Sequence, residues 1–165
     1  MTVKGYDLTF DHRPTADEII QAIDDPRKYR EVVFCGFGEP TLRLNVLLEV
    51  ARNIKARGGR VRVNTDGLSN LVHKDDTLPD LGSCVDAISI SLNAQNREVY
   101  ERHCRPNLPG SYEAMLKFVK QAPRYINEVT VTAIDGLEGV DIAACERIAR
   151  DFGVKFRRRV LDQVG

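Results

Sequence analysis

Short β-branched apolar runs alternate along this chain with segments whose apolar residues recur at helical spacing, an order that points to βα units winding around a parallel sheet. The first helical segment follows Pro14: Thr15 and Glu18 stand at capping-box spacing, and Ile19, Ile20 and Ile23 share a face that runs out near Asp25-Pro26. Glu31 to Phe37 reads as a strand, its Val32-Val33-Phe34-Cys35 run apolar enough to be covered on both faces. Leu44, Leu47, Leu48, Ala51 and Ile54 form a helical stripe that stops at Gly58-Gly59. Further strands are expected at Arg60 to Thr65, Val85 to Leu92, Val129 to Ile134 and Val154 to Leu161. Between them, a short helix or turn is expected around Pro79 to Ser83, and helices near Arg97 to Cys104, Tyr112 to Gln121 (ended by Pro123) and after Asp141, as far as Gly153. The expected fold class is therefore α/β, with about five parallel strands and outer helices. Closed (βα)8 barrels typically need about 250 residues, so an incomplete barrel or an open sheet is expected.

The 165 residues, 42% of them hydrophobic, suit one domain, with residues 1–14 as an extension or loop and 15–165 as the βα units. Lys plus Arg and Asp plus Glu both number 24, so no global field draws the chain to nucleic acid. No run is apolar enough for a membrane span or a secretory leader, which makes a cytoplasmic location the expectation. Cys35, Cys84, Cys104 and Cys145 lie far apart and encode no local metal site.

Parallel α/β folds bind ligands at the carboxyl ends of their strands. Four polar or glycine-rich stretches fall there: Gly36 to Thr41, Asn64 to Gly67, Ser91 to Gln95 and Asp135 to Gly139. Within the first, Gly36 and Gly38 let backbone carbonyls approach a ligand, Glu39 supplies a carboxylate, and Pro40 removes an N–H. That chemistry suits a cationic amine, whereas a phosphate loop would present N–H donors with a lysine. Thr41 is expected to cap the following helix.

Gly36-Phe37-Gly38-Glu39-Pro40-Thr41-Leu42, placed after an apolar strand, resembles the Gly-Gly-Glu motif on the second strand of radical S-adenosylmethionine (SAM) enzymes. The resemblance covers nearly the whole chain and implies a partial TIM-type (βα)6 barrel. It also implies that Gly36, Phe37, Gly38 and Glu39 meet the SAM amino group, that Asn64, Thr65, Ser91 and Asn93 face its carboxylate and ribose, and that Ile134 packs on adenine. More narrowly, Asn64-Thr65-Asp66-Gly67-Leu68, Ser91 to Asn96 and Phe156 to Asp162 resemble the radical SAM proteins associated with TatD-type hydrolases.

The family holds a [4Fe-4S] cluster with a Cys-x3-Cys-x2-Cys motif after its first strand, and neither motif nor strand is found in this sequence. The expectation is a truncated chain or late-start gene model, inactive alone. In full-length form it would cleave SAM to a 5'-deoxyadenosyl radical acting on a substrate not yet identified. An edge left unpaired at Glu31 to Phe37 would favour self-association. Two alternatives stand beside this one. A cluster-free lyase or epimerase would need a catalytic lysine or a carboxylate pair drawn from Glu39, Asp66, Asp135 and Glu138, and a non-catalytic scaffold would bind no SAM. Arg157 and Arg159, in the triplet Arg157-Arg158-Arg159, are either contacts to an anionic substrate or solvated strand residues.

Overall fold

The computed structural model describes residues 2–3, 6–7, 12–36 and 38–161. Near the N-terminus Thr2–Val3 (β1) and Tyr6–Asp7 (β2) pair antiparallel, a two-stranded element within what the sequence reads as an extension. Thr15 then opens Ala16–Ala22 (α1) with the expected capping box: its side chain accepts from the Glu18 backbone while Glu18 accepts from the Thr15 N–H. The helix ends before Asp25, which instead caps a single 3-10 turn at Pro26–Lys28.

Val32–Phe34 (β3) is shorter than the apolar run suggested, because Cys35 and Gly36 already belong to an exposed loop. A 3-10 turn at Pro40–Arg43 leads into Leu44–Ala56 (α2), which buries Leu47, Leu48, Val50, Ala51 and Ile54. Each such Leu, Val or Ile side chain taken from water contributes roughly 2 kcal/mol. Thr41 does not cap this helix. It is buried inside the 3-10 turn, and the side chain that accepts at the turn's start is Glu39.

Next come Val61–Thr65 (β4), Ser69–His73 (α3), Leu78–Gly82 (α4), Ala87–Ser91 (β5), Arg97–Cys104 (α5) and Ser111–Gln121 (α6). Helix α6 ends at Gln121 as expected, and Pro123 lies in a 3-10 turn over Ala122–Arg124 that follows it. Glu128–Asp135 (β6), Ile142–Asp151 (α7) and Lys155–Val160 (β7) complete the described elements. Asp141 caps α7 as expected, accepting from the Ala144 N–H. Helix α3 is new: it carries no long apolar period and is set by Ser69 and Thr77, whose hydroxyls meet at 2.9 Å in the interior.

The five strands β3 to β7 pair in chain order, and every pair is parallel. Sequential parallel neighbours joined by right-handed crossovers put all the helices on one face. Side-chain parity shows which one: Val61, Val63, Ile88, Ile90, Val129, Val131 and Ala133 are buried in the main core, with Phe156 packed against it. The opposite face is polar. Its rows, taken across the register, read Val33-Arg62-Ala87-Glu128, then Asn64-Ser89-Thr130-Lys155, then Ser91-Thr132-Arg157, then Ile134-Arg159. At the amino-terminal end of this face Arg62 pairs with Glu31 at 2.7 Å and Arg60 with Glu128 at 2.6 Å. This places the two arginines of the second expected strand on the wetter face. Five parallel strands with surrounding helices and one polar inner face are consistent with part of a TIM-type barrel.

Candidate functional site

All four loops singled out by sequence leave the same end of the sheet. Glu39 ties the first of them to the second. Its Oε1 accepts from the Thr41 N–H at 3.0 Å, the Thr41 hydroxyl at 2.7 Å and the Thr65 hydroxyl at 2.8 Å, and its Oε2 accepts from the Asp66 N–H at 2.8 Å. Thr65 belongs to the buried, helix-facing side of β4, and it also accepts from the Gly67 N–H. It therefore holds Glu39 in place and is turned away from the polar face. Beside Glu39, burial and then the neighbouring negative charge lift the Asp66 carboxyl to about 6.

Gly36 and Gly38 adopt positive φ, at 140° and 101°, which explains why side-chain-bearing residues are disfavoured there. Both are exposed, and a Cβ built on either meets no atom within 4 Å. Their backbones thus border open space at the strand tips. Phe37, named with them by sequence, lies outside the described residues.

Asn64 and Ser91 emerge on the polar face, and Asn93 follows β5 in the left-handed region at φ 58°. Asn93 is fixed from both sides: its N–H donates to the Thr132 carbonyl at 3.0 Å, and its Nδ2 reaches Cys104 Sγ at 3.5 Å. Yet Asn93 Oδ1 and Asn64 Oδ1 are buried without a hydrogen-bond partner among the described residues. Native proteins rarely leave such atoms unpaired, so each marks a place where a donor from a ligand or water belongs. Ile134, in the uppermost row, is a half-buried apolar side chain.

The fourth loop closes the rim from the far side. Gln95 donates to the Gly139 carbonyl at 2.9 Å and accepts from the Asp141 N–H, while His103 Nε2 lies 2.7 Å from the Glu138 carbonyl. His103 is therefore spent on holding this loop, and Arg102 pairs with Glu98 one helical turn away. These contacts went unread in the sequence, since Gln95 and His103 show no pattern linking them to residues some 40 positions on.

A radical SAM superfamily model matches residues 7–152. The chain belongs to the radical SAM superfamily. Its fold is also similar to that of a solved domain of pyruvate-formate lyase-activating enzyme from Bacteroides vulgatus, with a TM-score of 0.52 at 17% identity over 78% of this chain and 98% of that one. No curated protein matches the chain.

Superfamily membership implies SAM and a [4Fe-4S] cluster, and the two fare differently against the residues present. The open glycine backbones, the carboxylates at Glu39 and Asp66 and the two unpaired amide oxygens match a ligand carrying an ammonium and hydroxyl groups. The cluster finds no such match. Cys35 is exposed, Cys104 half-buried, and Cys84 and Cys145 are buried in separate elements, where burial pushes both thiols up. No group of three His, Cys, Asp or Glu side chains able to hold a metal forms among the described residues. Nor, among these, is any helix long and apolar enough to cross a membrane.

Proposed function

We propose that the polar mouth over β3 to β6 binds S-adenosylmethionine. The reading rests chiefly on Asn64 Oδ1 and Asn93 Oδ1, two buried acceptors left without donors at neighbouring strand tips. In this reading the methionine ammonium sits on the carbonyl edge of Gly36 and Gly38, in the negative field of Glu39 and Asp66. Glu39 acts there as a fixed charge, because its oxygens already accept four hydrogen bonds. Ribose hydroxyls donate to the amide oxygens of Asn64 and Asn93, the Ser91 hydroxyl serves the carboxylate, and Ile134 offers an apolar surface to adenine. Thr65 contributes by orienting Glu39.

When bound, SAM supplies a sulfonium whose carbon–sulfur bond superfamily members break reductively. This chain's residues bind and orient it. The thiols present do not form a cradle for a [4Fe-4S] cluster, so no electron-transfer step is derived from them.

Calorimetric titration with SAM and with S-adenosylhomocysteine tests the proposal. One-to-one binding is expected, weakened about tenfold by Asn64→Ala, the loss of roughly one hydrogen bond to a ligand hydroxyl. Absence of binding by both compounds to the folded protein would remove the reading.

One observation favours a second reading. Asp66, lifted to about 6, has the character of a general acid or base for a cluster-free lyase or epimerase. Its neighbour Glu39 is held by four hydrogen bonds, three of them to Oε1 and one to Oε2, and Asp135 is tied to Arg158 on the other face. The two readings part on SAM binding and on the fate of Asp66→Asn. That variant retains cofactor affinity to within a few fold under the first and abolishes turnover under the second.

A further inference from the structure

The alternation along β7 divides its three consecutive arginines between two environments. Phe156 packs against the core, and Arg158, two residues on and on the same face, is paired with Asp135. Lys155, Arg157 and Arg159 therefore project from the polar face. Arg157 stands in register with Thr132, which stands in register with Ser91, so a guanidinium and two hydroxyls form one row across three strands. Arg159 lies one layer nearer the strand tips, in register with Ile134. The two arginines are about 6 to 7 Å apart along the strand, close enough for both forks to engage one oxyanion or two oxyanions of one molecule.

Neither arginine forms an ion pair among the described residues. The acids that share their face, Glu31 and Glu128, are at its far end and bound to Arg62 and Arg60. At the strand tips Glu39 and Asp66 lie over β3 and β4, Asp135 is paired with Arg158 on the helix-facing side, and Glu138 stands exposed in the loop after β6. The half-buried carboxylates of the mouth, Glu39 and Asp66, thus lie at one rim, and two guanidinium groups without an ion pair among the described residues lie at the other.

We infer that Arg157 and Arg159 form a docking site for an oxyanion, carboxylate or phosphate, carried by the small-molecule substrate. The placement of that substrate beside a cofactor rests on the SAM reading above; the anion site itself rests on β7 alone. Planar forks at i and i+2 on a strand are rigidly spaced and recognise oxyanions in a way that lysines at the same positions would not.

The test is titration of the protein with sodium pyrophosphate and, separately, with sodium succinate at matched ionic strength, with S-adenosylhomocysteine in a parallel cell. Saturable binding of at least one anion is expected, weakened about tenfold or more by the double variant Arg157→Gln, Arg159→Gln. Arg158→Gln should leave it unchanged, because that side chain lies on the other face. The single changes Arg157→Lys and Arg159→Lys keep the charge and should fall between. A response to pyrophosphate alone assigns a phosphorylated substrate, and one to succinate alone assigns a carboxylated substrate. No binding of either anion up to about 50 mM, or equal binding by the double variant, overturns the inference. If S-adenosylhomocysteine binds while both anions fail, the SAM reading stands without this site; if an anion binds while S-adenosylhomocysteine fails, the reverse holds.

Discussion

Glu39 accepts the backbone N–H of Asp66 at 2.8 Å, so a carboxylate on one βα loop fixes the backbone of the next. Together with its bonds from Thr41 and Thr65, this makes one side chain the joint between β3 and β4 at the functional end of the sheet. Glu39→Ala leaves several of these donors without a partner and should destabilise the fold by about 2 to 3 kcal/mol. A urea titration would then show a lower midpoint at unchanged slope. A midpoint shift too small to measure would mean that water replaces Glu39 freely.

Asp66 makes the stability of the protein depend on pH. Its folded carboxyl holds a proton up to about 6, well above the unfolded reference of 3.8, so between these values the native state binds more protons than the unfolded state. Stability contributed by this group is complete below pH 4, falls as pH rises to about 6, and stays lost above it, by on the order of 2 kcal/mol. Asp66→Asn should therefore raise the melting temperature at pH 7.5 and flatten its pH profile. An ammonium bound nearby favours the charged form, so SAM binding near pH 6 should release protons, visible as a binding enthalpy that varies with the buffer.

Much of this architecture is legible in the chain. Thr15 and Glu18 announce a helix start that forms, and the β-branched runs become strands in the expected order because each is flanked by glycine or a helix cap. Asn64 and Ser91 reach the polar face, whereas alternation turns Thr65, at the end of the same strand as Asn64, toward the helices. Two things were not legible. Thr41 and Thr65 look like loop hydroxyls free for capping or ligand contact, but both turn inward to Glu39, a contact 26 residues long in the second case. The triplet at 157–159 reads as one basic patch until the strand's period of two sends Arg158 to Asp135 and its neighbours to the other side.

Asn64 and Asn93 should show opposite effects on stability and on binding. An unpaired buried amide oxygen costs the free protein about 1 kcal/mol or more, so Asn64→Ala should leave the fold as stable as before or more so while it weakens SAM. At Asn93 the positive φ calls for glycine as the replacement, since alanine would add backbone strain of about 1 kcal/mol. Paired thermal denaturation and calorimetry on both variants checks this. A loss of stability with undiminished SAM affinity would show that these side chains serve the fold.

Gly67 sits at φ 78° under the second loop, and a Cβ there would lie 2.8 Å from Ile90 Cγ2 and 3.2 Å from Met115 Cγ. Gly67→Ala should cost about 2 to 4 kcal/mol, from overpacking and the backbone conformation together. At Gly38 the same change meets open space, so only the backbone term of about 1 to 2 kcal/mol applies there. The added methyl would instead intrude on the proposed ammonium site. A larger stability loss at Gly38 than at Gly67, by chemical denaturation, would contradict the packing argument.

Strand β3 pairs only with β4 among the described residues, and Val33 is 39% exposed. Because the Val32 N–H is already given to the Arg60 carbonyl, alternation turns the Val33 N–H away from β4, toward the unpaired edge. Such an edge is a template for strand pairing, and if a second copy uses it, light scattering should show mass rising with concentration. Val33→Pro removes the outward donor while sparing the ladder to β4, so it should abolish the association and leave the circular dichroism spectrum unchanged. Association that survives this change would have to use another surface, since a proline at this position leaves the edge without the N–H that β-pairing there requires.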